Sequence, residues 1–282
     1  MADSINDRKT LLISGASSGI GHAVCKRLAS SETQVFTVDI ECAPPDVEVA
    51  NHYQADLSVP AEVEKLTRTI RNDIDISSIS SLINVAGIPG TKPAEQVFQV
   101  NLLTVRFLSR QLAAHMRPGG TIVNVGSISG NNWGQRIDTY RELLALDDAG
   151  ARVWWQNKMK AVEVDPYTFS KESVIVWTML QAGELRGTGL RCNVVSPGPV
   201  ETPLLPTFRD QIGDERIDWV LHHSGRAAQP DEIAQAIEWL AVGESSWVNG
   251  HHLVVDGGYT SGLLSGWVDT ENAPEPRITF VD

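Results

Sequence analysis

The sequence predicts an α/β fold, a Rossmann-type doubly wound parallel sheet of about seven strands in a single domain. Two observations predict this fold. Short apolar runs alternate with helical patterns along most of the 282 residues. A glycine-rich turn also joins the first apolar run to the first helical pattern, a context typical of doubly wound sheets. Ligands of such folds bind at the carboxyl edge of the sheet, so we look for functional residues at strand ends.

The predicted strands are apolar runs bounded by turn residues. In chain order they cover residues 10–13, 34–39, 51–56, 80–87, 120–125, 190–195 and 251–258, the fourth running into a turn of small residues. Helices are predicted from the glycine turn through Leu28, over 60–71 and 93–116, and from 166 and 230 onward. Asn101 lies inside the 93–116 helix, where asparagine is a poor residue, and its presence suggests a specific role.

Three segments depart from this alternation. Residues 131–164 form a helical insertion, with helical pieces at about 137–147 and 149–160, and carry Trp133, Trp154 and Trp155. Residues 200–228 are expected to bind substrate, and residues 259–282 form a tail without strong periodicity. Since no repeat or low-complexity linker divides the chain, we expect one domain over residues 1–282.

Composition excludes several kinds of partner. Hydrophobic content of 42% and charged content of 21% are ordinary for a soluble enzyme with a sizeable core. The net charge of −12 and pI near 5.0 imply an acidic surface, which repels phosphate backbones. We therefore expect no nucleic-acid partner and no anionic membrane, and a small molecule as the ligand.

The cysteines and the N-terminus indicate the cellular compartment. Cys25, Cys42 and Cys192 are odd in number and far apart, which argues against a disulfide framework or a zinc site. Residues 1–9 are polar, and no run of about 18 apolar residues occurs. These features predict a cytoplasmic protein without a signal peptide or membrane span.

The turn at residues 14–21 has the composition of a phosphate-binding loop. Its glycines permit a tight turn and a close approach of backbone to pyrophosphate, and the following helix N-terminus offers N–H groups and a positive dipole end. Glycine-rich turns are common, but the strand–turn–helix context predicts a dinucleotide site. The expected contacts are Gly15, Ser17, Ser18, Gly19, Ile20 and Gly21.

An acidic residue at the end of the second strand predicts the choice of cofactor. Asp39 lies 18 residues after Gly21, where a carboxylate can accept hydrogen bonds from the adenosine ribose hydroxyls. It would repel a 2′-phosphate, so NAD is favoured over NADP. The alternative is an aspartate that merely closes a strand-end turn.

The stretch 165–171 carries the candidate acid/base. Asp165 can cap a helix and Pro166 suits its first position, so Tyr167 and Lys171 lie one turn apart on the same face. A lysine ammonium beside a phenol favours the phenolate, and we expect the tyrosine pKa to fall toward neutrality. Such a tyrosine exchanges protons with an alcohol or carbonyl near pH 7. The alternative is an accidental pair on an exposed helix.

Taken together, these motifs resemble the short-chain dehydrogenase/reductase signature. The matching stretches are residues 14–21, Asn-Val-Ala-Gly at 84–87, Ser127, Tyr-Thr-Phe-Ser-Lys at 167–171 and Pro-Gly at 197–198. Ser14 and Val85 are minor departures, standing where threonine and asparagine are commoner. Ser127 precedes Tyr167 by 40 residues, a longer interval than in most members. In this the chain is similar to bacterial 3α-hydroxysteroid dehydrogenase/carbonyl reductases and, more closely, to bacterial coniferyl-alcohol dehydrogenases.

The resemblance implies roles for four residues. Tyr167 would remove the alcohol proton while hydride passes to the nicotinamide, and Lys171 would bind the nicotinamide ribose and lower the tyrosine pKa. Ser127 would donate a hydrogen bond to the substrate oxygen, unless it is a plain turn serine like Ser129. Asn101 would anchor a water of a proton relay behind Lys171.

The resemblance also implies the remaining cofactor contacts. Asp56 and Leu57 would contact adenine; Asn84, Ala86 and Gly87 would pass along the adenosine ribose; Pro197, Gly198, Val200 and Thr202 would hold the nicotinamide. The pairs His222-His223 and His251-His252 lack carboxylates or cysteines at ligand spacing, so no metal is expected.

Three functions stay open. The first is an NAD-dependent dehydrogenase of an aromatic alcohol of the coniferyl or cinnamyl type, and the second a hydroxysteroid dehydrogenase or carbonyl reductase. The third is a non-catalytic NAD(H)-sensing regulator, which would not need Ser127, Tyr167 and Lys171.

The insertion also predicts the assembly. Members of the family commonly pair the helix of Tyr167 and the helix before strand five with copies of themselves. We expect the insertion to fold over these helices, which favours a homodimer through another surface over the usual tetramer. We further expect it to carry Trp133, Trp154 and Trp155 toward the mouth of the active site and to form part of the pocket wall.

Overall fold

A computed structural model describes residues 8–275 of the chain. Seven parallel strands form one sheet in the order β3-β2-β1-β4-β5-β6-β7. The strands are β1 Lys9–Ser14, β2 Thr33–Asp39, β3 Asn51–Gln54, β4 Ile79–Asn84, β5 Thr121–Val125, β6 Arg191–Pro197 and β7 His252–Val255. The predicted fold class is confirmed.

Helices cover both faces of this sheet. They are α1 Gly19–Leu28, α2 Pro60–Asp73, α3 Ala94–Phe98, α4 Val105–Ala113, α5 Ile137–Leu144, α6 Asp148–Lys158, α7 Pro166–Glu184, α8 Leu205–Ile212, α9 Asp214–Ser224, α10 Pro230–Ala241 and α11 Tyr259–Ser265. Successive β1 residues are buried on opposite faces: Leu11 and Ile13 pack with α1 and α10, whereas Leu12 packs with α2 and α4. Because helices cover both faces, the strand is apolar at every interior position rather than at every second one.

The strand order reverses beside β1, and this reversal creates the ligand crevice. The chain runs from β1 outward to β3, then crosses back to β4 on the other side of β1. In the register of the sheet, Ser14 pairs with Val38 on one side and with Asn84 on the other. The carboxyl ends of β1, β2, β4 and β5 therefore open at one edge, where doubly wound folds bind ligands.

Two predicted elements differ in the structure. The expected 93–116 helix is interrupted by a π-helical turn, Gln99–Thr104, between α3 and α4. The last strand stops at Val255 instead of residue 258, because Gly257 and Gly258 have φ values of 67° and 91°, which are incompatible with a strand.

The insertion, residues 131–164, packs its aromatic side chains against α7. Trp155 stacks on Phe98 with ring centres 4.2 Å apart, and Trp154 and Trp155 lie 5.8 and 5.3 Å from Phe169 of α7. Trp154 and Trp155 are about 95% buried. The hydrophobic effect therefore holds the insertion on the outer side of α3, α4 and α7.

An ionic cluster reinforces this contact. The carboxylate of Glu172, fully buried in α7, accepts a hydrogen bond of 2.9 Å from Arg136 Nε and another from the Tyr140 hydroxyl. Arg136 and Tyr140 both belong to the insertion. A buried carboxylate is tolerated only when its charge and lone pairs are satisfied, so the insertion completes the environment of α7. Within residues 8–275, no helix combines the length and apolarity needed to cross a membrane.

Candidate active site

A cleft of about 860 Å³ opens at the carboxyl edge of the sheet. The loops after the first six strands line one part of it, and α8, α9 and α11 line a second part; the start of α7 and the ends of the 131–164 segment also contribute. We call the first part the cofactor half and the second the substrate half. Tyr167 and Lys171 lie in the wall of the same cleft.

Glycines in the loop after β1 are required by close backbone contacts. Gly15 and Gly19 have φ values of 71° and 52°. A Cβ at Gly15 would lie 2.6 Å from the Ala86 backbone, and one at Gly21 would lie 1.8 Å from the Gly15 carbonyl oxygen. No side chain caps the N-terminus of α1. The first N–H groups of this helix are therefore available to an anion, and glycine is the residue the packing allows.

Asp39, the last residue of β2, lies in the cofactor half, as its position at the strand end predicted. Its two carboxylate oxygens accept hydrogen bonds from the backbone N–H groups of Ser17, at 2.9 Å, and Glu41, at 3.1 Å. Each oxygen keeps a further acceptor position, and the carboxylate faces the cleft. Ser17 directs its hydroxyl to the Cys42 carbonyl, 2.6 Å away, so it supports the Asp39 loop.

The other predicted cofactor residues divide into two groups. Those that line the cleft are Gly15, Ser18, Gly19, Ile20, Gly21, Asp39, Asp56, Leu57, Ala86, Gly87, Tyr167, Lys171, Pro197, Gly198, Val200 and Thr202. Asn84 lies beneath the cleft floor, where its side chain donates to Asn124 Oδ1 at 2.8 Å and Ser109 Oγ at 3.2 Å. Its amide therefore ties β4 to β5, and Asn84 is not among the residues that line the cleft.

The N-terminus of α7 places the tyrosine and the lysine. Asp165 Oδ1 accepts hydrogen bonds of 3.0 Å from the N–H groups of Tyr167 and Thr168, which confirms the predicted cap. Lys171 Nζ lies 5.6 Å from the centre of the Tyr167 ring and donates to the Val125 carbonyl at 3.0 Å. The Val125 carbonyl lies at the end of β5, two residues before Ser127, so strand five and α7 converge on one point.

Burial dominates the protonation of this pair. It raises the pKa of Tyr167 to about 12, while a hydrogen bond with Ser127 lowers it and Asp165 raises it. Burial also lowers the pKa of Lys171 to about 8. The predicted fall of the tyrosine pKa is therefore wrong for this arrangement, because the ammonium hydrogen-bonds to a carbonyl and is itself costly to keep charged.

Asn101 occupies the π-helical turn, which accounts for an asparagine within this helix. Its Oδ1 accepts from the Ile88 N–H at 2.9 Å, and its Nδ2 donates to the Ile88 carbonyl at 3.0 Å and to Ser170 Oγ at 3.1 Å. A Cβ on Gly87 would lie 3.4 Å from both Asn101 Oδ1 and Lys171 Nζ. The amide thus fixes the loop after β4 against α7, beside the lysine, and such π turns often occur at functional sites.

Sequence reasoning did not identify the residues of the substrate half. Phe208 packs on the Tyr167 ring at 5.2 Å, and Gln211 accepts a hydrogen bond from the Gly90 N–H at 2.9 Å. Arg216, Tyr259 and Leu263 line the far wall. Only the location of the 200–228 segment was predicted, because side chains presented from outside the sheet have no characteristic spacing.

The insertion contributes its ends and not its tryptophans. Asn131, Asn132, Glu163 and Val164 line the cleft, whereas Trp154 and Trp155 belong to the apolar cluster on α7 and Trp133 packs against that cluster. The expectation that the tryptophans reach the mouth of the active site is wrong. The tryptophan rings pack on the flat apolar faces of α3, α4 and α7 instead, because burial there removes more aromatic surface from water than a position at the cleft mouth would.

The histidine pairs contribute no metal centre within the part of the chain described. Among residues 8–275, no three His, Cys, Asp or Glu side chains are grouped as ligands. His252 hydrogen-bonds Ser196 Oγ at 2.8 Å, and burial lowers its pKa to about 4, while His223 bonds the Trp219 carbonyl.

Comparison with known proteins identifies the family. Residues 9–141 match the family model described as short chain dehydrogenase, and residues 150–260 match the one described as Enoyl-(Acyl carrier protein) reductase. The doubly wound sheet, the glycine loop and the Ser127, Tyr167 and Lys171 cleft occur in one chain. This chain belongs to the short-chain dehydrogenase/reductase family of oxidoreductases.

Individual relatives narrow the comparison. The chain is 35% identical over 254 residues to the coniferyl-alcohol dehydrogenase of a Pseudomonas species, covering 90% of this chain and 97% of that one. It is 30% identical to the galactitol 2-dehydrogenase (L-tagatose-forming) of Cereibacter sphaeroides, covering 88% and 93%. Among solved structures, the 3-alpha-hydroxysteroid dehydrogenase from Pseudomonas sp. B-0831, complexed with NADH, is similar with a TM-score of 0.75 and 28% identity, covering 92% and 99%.

Proposed function

We propose that this protein is an NAD-dependent dehydrogenase that interconverts an aromatic alcohol of the coniferyl or cinnamyl type and its aldehyde. One observation carries the proposal: Ser127, Tyr167 and Lys171 meet in the cleft that also contains the glycine loop and Asp39. The cleft therefore combines a proton-transfer group with a place for a dinucleotide.

The residues of the cofactor half fit NAD. A Cβ at Gly15 or Gly21 would collide with neighbouring backbone, so only glycine allows this close-packed loop beside α1, whose uncapped N–H groups suit a pyrophosphate. Asp39 offers acceptors to ribose hydroxyls and repels a 2′-phosphate. Ala86, Gly87, Pro197, Gly198, Val200 and Thr202 would enclose the two nucleoside parts. When bound, oxidised NAD supplies the hydride acceptor and a positive charge near the tyrosine.

Protein residues position and deprotonate the alcohol. Ser127 and Tyr167, which both line the cleft, would together hold the substrate oxygen. Tyr167 would take the hydroxyl proton in the oxidation and return it to the carbonyl oxygen in the reduction. Burial raises the pKa of Tyr167, and the positive charge of oxidised NAD, together with the Lys171 ammonium 5.6 Å from the ring, would favour the phenolate when the cofactor is bound. Asn101 would anchor a water molecule of a proton relay behind Lys171.

The aromatic substrate is supported by the lining and by one relative. Phe208, Val220, Tyr259 and Leu263 give the substrate half an apolar and aromatic wall suited to a planar ring. The similarity to a coniferyl-alcohol dehydrogenase, at 35% identity, favours this class. A hydroxysteroid is the second candidate, favoured by the structural similarity to the 3-alpha-hydroxysteroid dehydrogenase. A non-catalytic sensor would not need the three converging side chains.

A substrate panel tests the proposal. Purified protein with NAD is given coniferyl, cinnamyl and benzyl alcohols and 3α-hydroxysteroids, and NADH absorbance is followed. We expect the largest kcat/KM for the coniferyl or cinnamyl alcohol. A kcat/KM for a 3α-hydroxysteroid above those for coniferyl and cinnamyl alcohol would favour the hydroxysteroid dehydrogenase. No turnover with any alcohol would favour the non-catalytic sensor.

Cofactor choice is tested separately with Asp39→Ala. The wild type should prefer NAD, and loss of the repelling carboxylate should narrow the NAD-to-NADP ratio of kcat/KM by about 10-fold or more, since one charge contact is worth over 1 kcal/mol. A wild type that uses NADP equally well would contradict the role of Asp39.

We also propose a homodimer rather than a tetramer. The insertion occupies the outer faces of α3, α4 and α7, where Trp155 covers Phe98 and Trp154 covers Phe169. A copy could pair with these helices only by displacing that buried cluster. Light scattering that gives the mass of four chains would contradict this.

A further inference from the structure

One cation in the substrate half has a defined position but pairs with no carboxylate in the part of the chain that the structure describes. Arg216, half-buried on α9, donates to the Pro274 carbonyl at 3.2 Å and lies 3.5 Å from the Tyr259 hydroxyl. Its guanidinium stacks 4.7 Å from the centre of the Trp219 ring. Among residues 8–275, no carboxylate forms an ion pair with it. The charge is therefore available to the cleft that Arg216 lines.

Neighbouring arginines behave differently. Arg209 on α8 pairs with Asp214 and Asp218, at 3.2 and 2.7 Å, and Arg226 pairs with Glu232. In a chain of net charge −12, carboxylates are plentiful on the surface. The charge of an arginine held by a carbonyl, a phenol and an indole is not neutralised by these contacts, and Arg216 is one of the residues that line the cleft.

The position of Arg216 assigns it to substrate and not to cofactor. Its contacts Trp219, Tyr259 and Pro274 lie on α9, α11 and the tail, apart from the strand ends that line the cofactor half. Ile217, Val220 and Leu263 line the cleft with it. An apolar wall with a single cation suits an aromatic ring that bears one oxygen.

We propose that Arg216 recognises the ring hydroxyl of 4-hydroxyphenyl alcohols, and so makes the protein selective for phenolic over unsubstituted aromatic alcohols. The inference rests on the proposed function, since it concerns the end of the substrate away from Tyr167. One Nη already donates to a carbonyl and the other faces a phenol oxygen. The remaining N–H groups suit one acceptor oxygen better than the paired oxygens of a carboxylate.

The charge also predicts how binding depends on pH. A phenol titrates near pH 10 in water, and an adjacent cation favours the phenolate. For the wild type, the KM for a phenolic alcohol, divided by that for its unsubstituted analogue, should fall as pH rises from about 8 toward 10. The ratio removes effects of Tyr167 and Lys171, which both substrates share.

The test compares Arg216→Met with the wild type on coniferyl alcohol and cinnamyl alcohol. The variant keeps length and loses the charge. We expect kcat/KM for coniferyl alcohol to fall about 10- to 100-fold, the loss expected for one hydrogen bond to a charged group, and that for cinnamyl alcohol to change less than about threefold. The pH dependence of the KM ratio should vanish. Arg209→Met, which removes a cation that carboxylates already neutralise, is the matched control and should change neither substrate.

Other outcomes overturn the inference. If Arg216→Met lowers kcat/KM equally for both alcohols, Arg216 acts by holding the tail at Pro274. If the variant leaves kcat/KM unchanged for both alcohols, Arg216 contacts neither of them. If Arg216→Met does not fold, Arg216→Lys keeps the charge and must retain the preference for coniferyl alcohol. A wild type that oxidises cinnamyl and coniferyl alcohols equally well refutes the inference alone, whereas one that oxidises neither refutes the proposed function as well.

Discussion

The cofactor half of the cleft is lined mainly by backbone, and the substrate half mainly by side chains. The cofactor half consists of strand ends and backbone: the Gly15 and Ala86 chains approach so closely that a Cβ would lie at 2.6 Å. The substrate half consists of side chains from helices outside the sheet, such as Phe208 and Arg216. Backbone packing tolerates almost no change, whereas side chains can be exchanged one at a time. The first half therefore suits an invariant ligand, and the second suits a ligand that differs between relatives.

Tyr167 lies where the two halves meet, and its loss should have the largest effect. Tyr167→Phe keeps the ring and its packing on Phe208 but removes the transferable proton. We expect kcat to fall by about 10²- to 10⁴-fold, as for removal of a general acid/base, while NADH binding survives. Stopped-flow turnover and NADH fluorescence titration measure the two. Near-normal turnover by Tyr167→Phe would show that Tyr167 is not the acid/base.

The second-largest effect is expected from loss of the buried carboxylate of Glu172, which should lower the free energy of unfolding. Glu172→Ala leaves Arg136 without its partner, and removing one member of a buried pair costs roughly 3–5 kcal/mol. Urea unfolding measures it. Asp138→Ala is the control, because Asp138 and Arg141 form an exposed pair on the same insertion, expected to contribute about 1 kcal/mol or less. Equal losses would mean that burial of Glu172 does not matter.

Alanine in the glycine loop tests the backbone character of the cofactor half. Gly15→Ala meets the Ala86 backbone at 2.6 Å and a φ of 71°, so we expect the KM for NAD to rise about 10- to 100-fold, from roughly 1–3 kcal/mol of strain. Gly134→Ala, with no atom within 4 Å of the new Cβ, should leave kinetics unchanged. If the two variants bind NAD equally, the loop is not a close-packed cradle.

The smallest effect concerns Lys171 and has a defined sign. Burial lowers its pKa from 10.5 to about 8, so between these values the unfolded chain holds a proton that the folded chain has lost. Stability due to this group therefore rises from about pH 8 to about pH 10.5, and the group is destabilising below. Lys171→Met should raise the free energy of unfolding at pH 7 by about 1–2 kcal/mol, less at pH 10, while turnover falls. Destabilisation by Lys171→Met at both pH values would contradict this.

Sequence patterns predicted the half that depends on backbone. Gly15, Asp39 and the Asp165 cap each follow from a local rule about turns, strand ends or helix starts. Arg216 and Phe208 were not predicted, because a wall of side chains needs only a suitable shape and polarity, and many sequence spacings provide these. The pKa of Tyr167 was mispredicted for a similar reason. Burial is a property of the packed protein, and the four-residue spacing from Lys171 does not contain it.

The cluster of Glu172, Arg136 and Tyr140 has a consequence for the history of the chain. The buried carboxylate is acceptable only while the insertion supplies its arginine and its phenol. A relative that lost residues 131–164 would leave Glu172 charged and unpaired beside Lys171. We therefore expect deletion of the insertion and replacement of Glu172 to occur together, so the residue that follows the equivalent of Lys171 should indicate whether a relative carries the insertion.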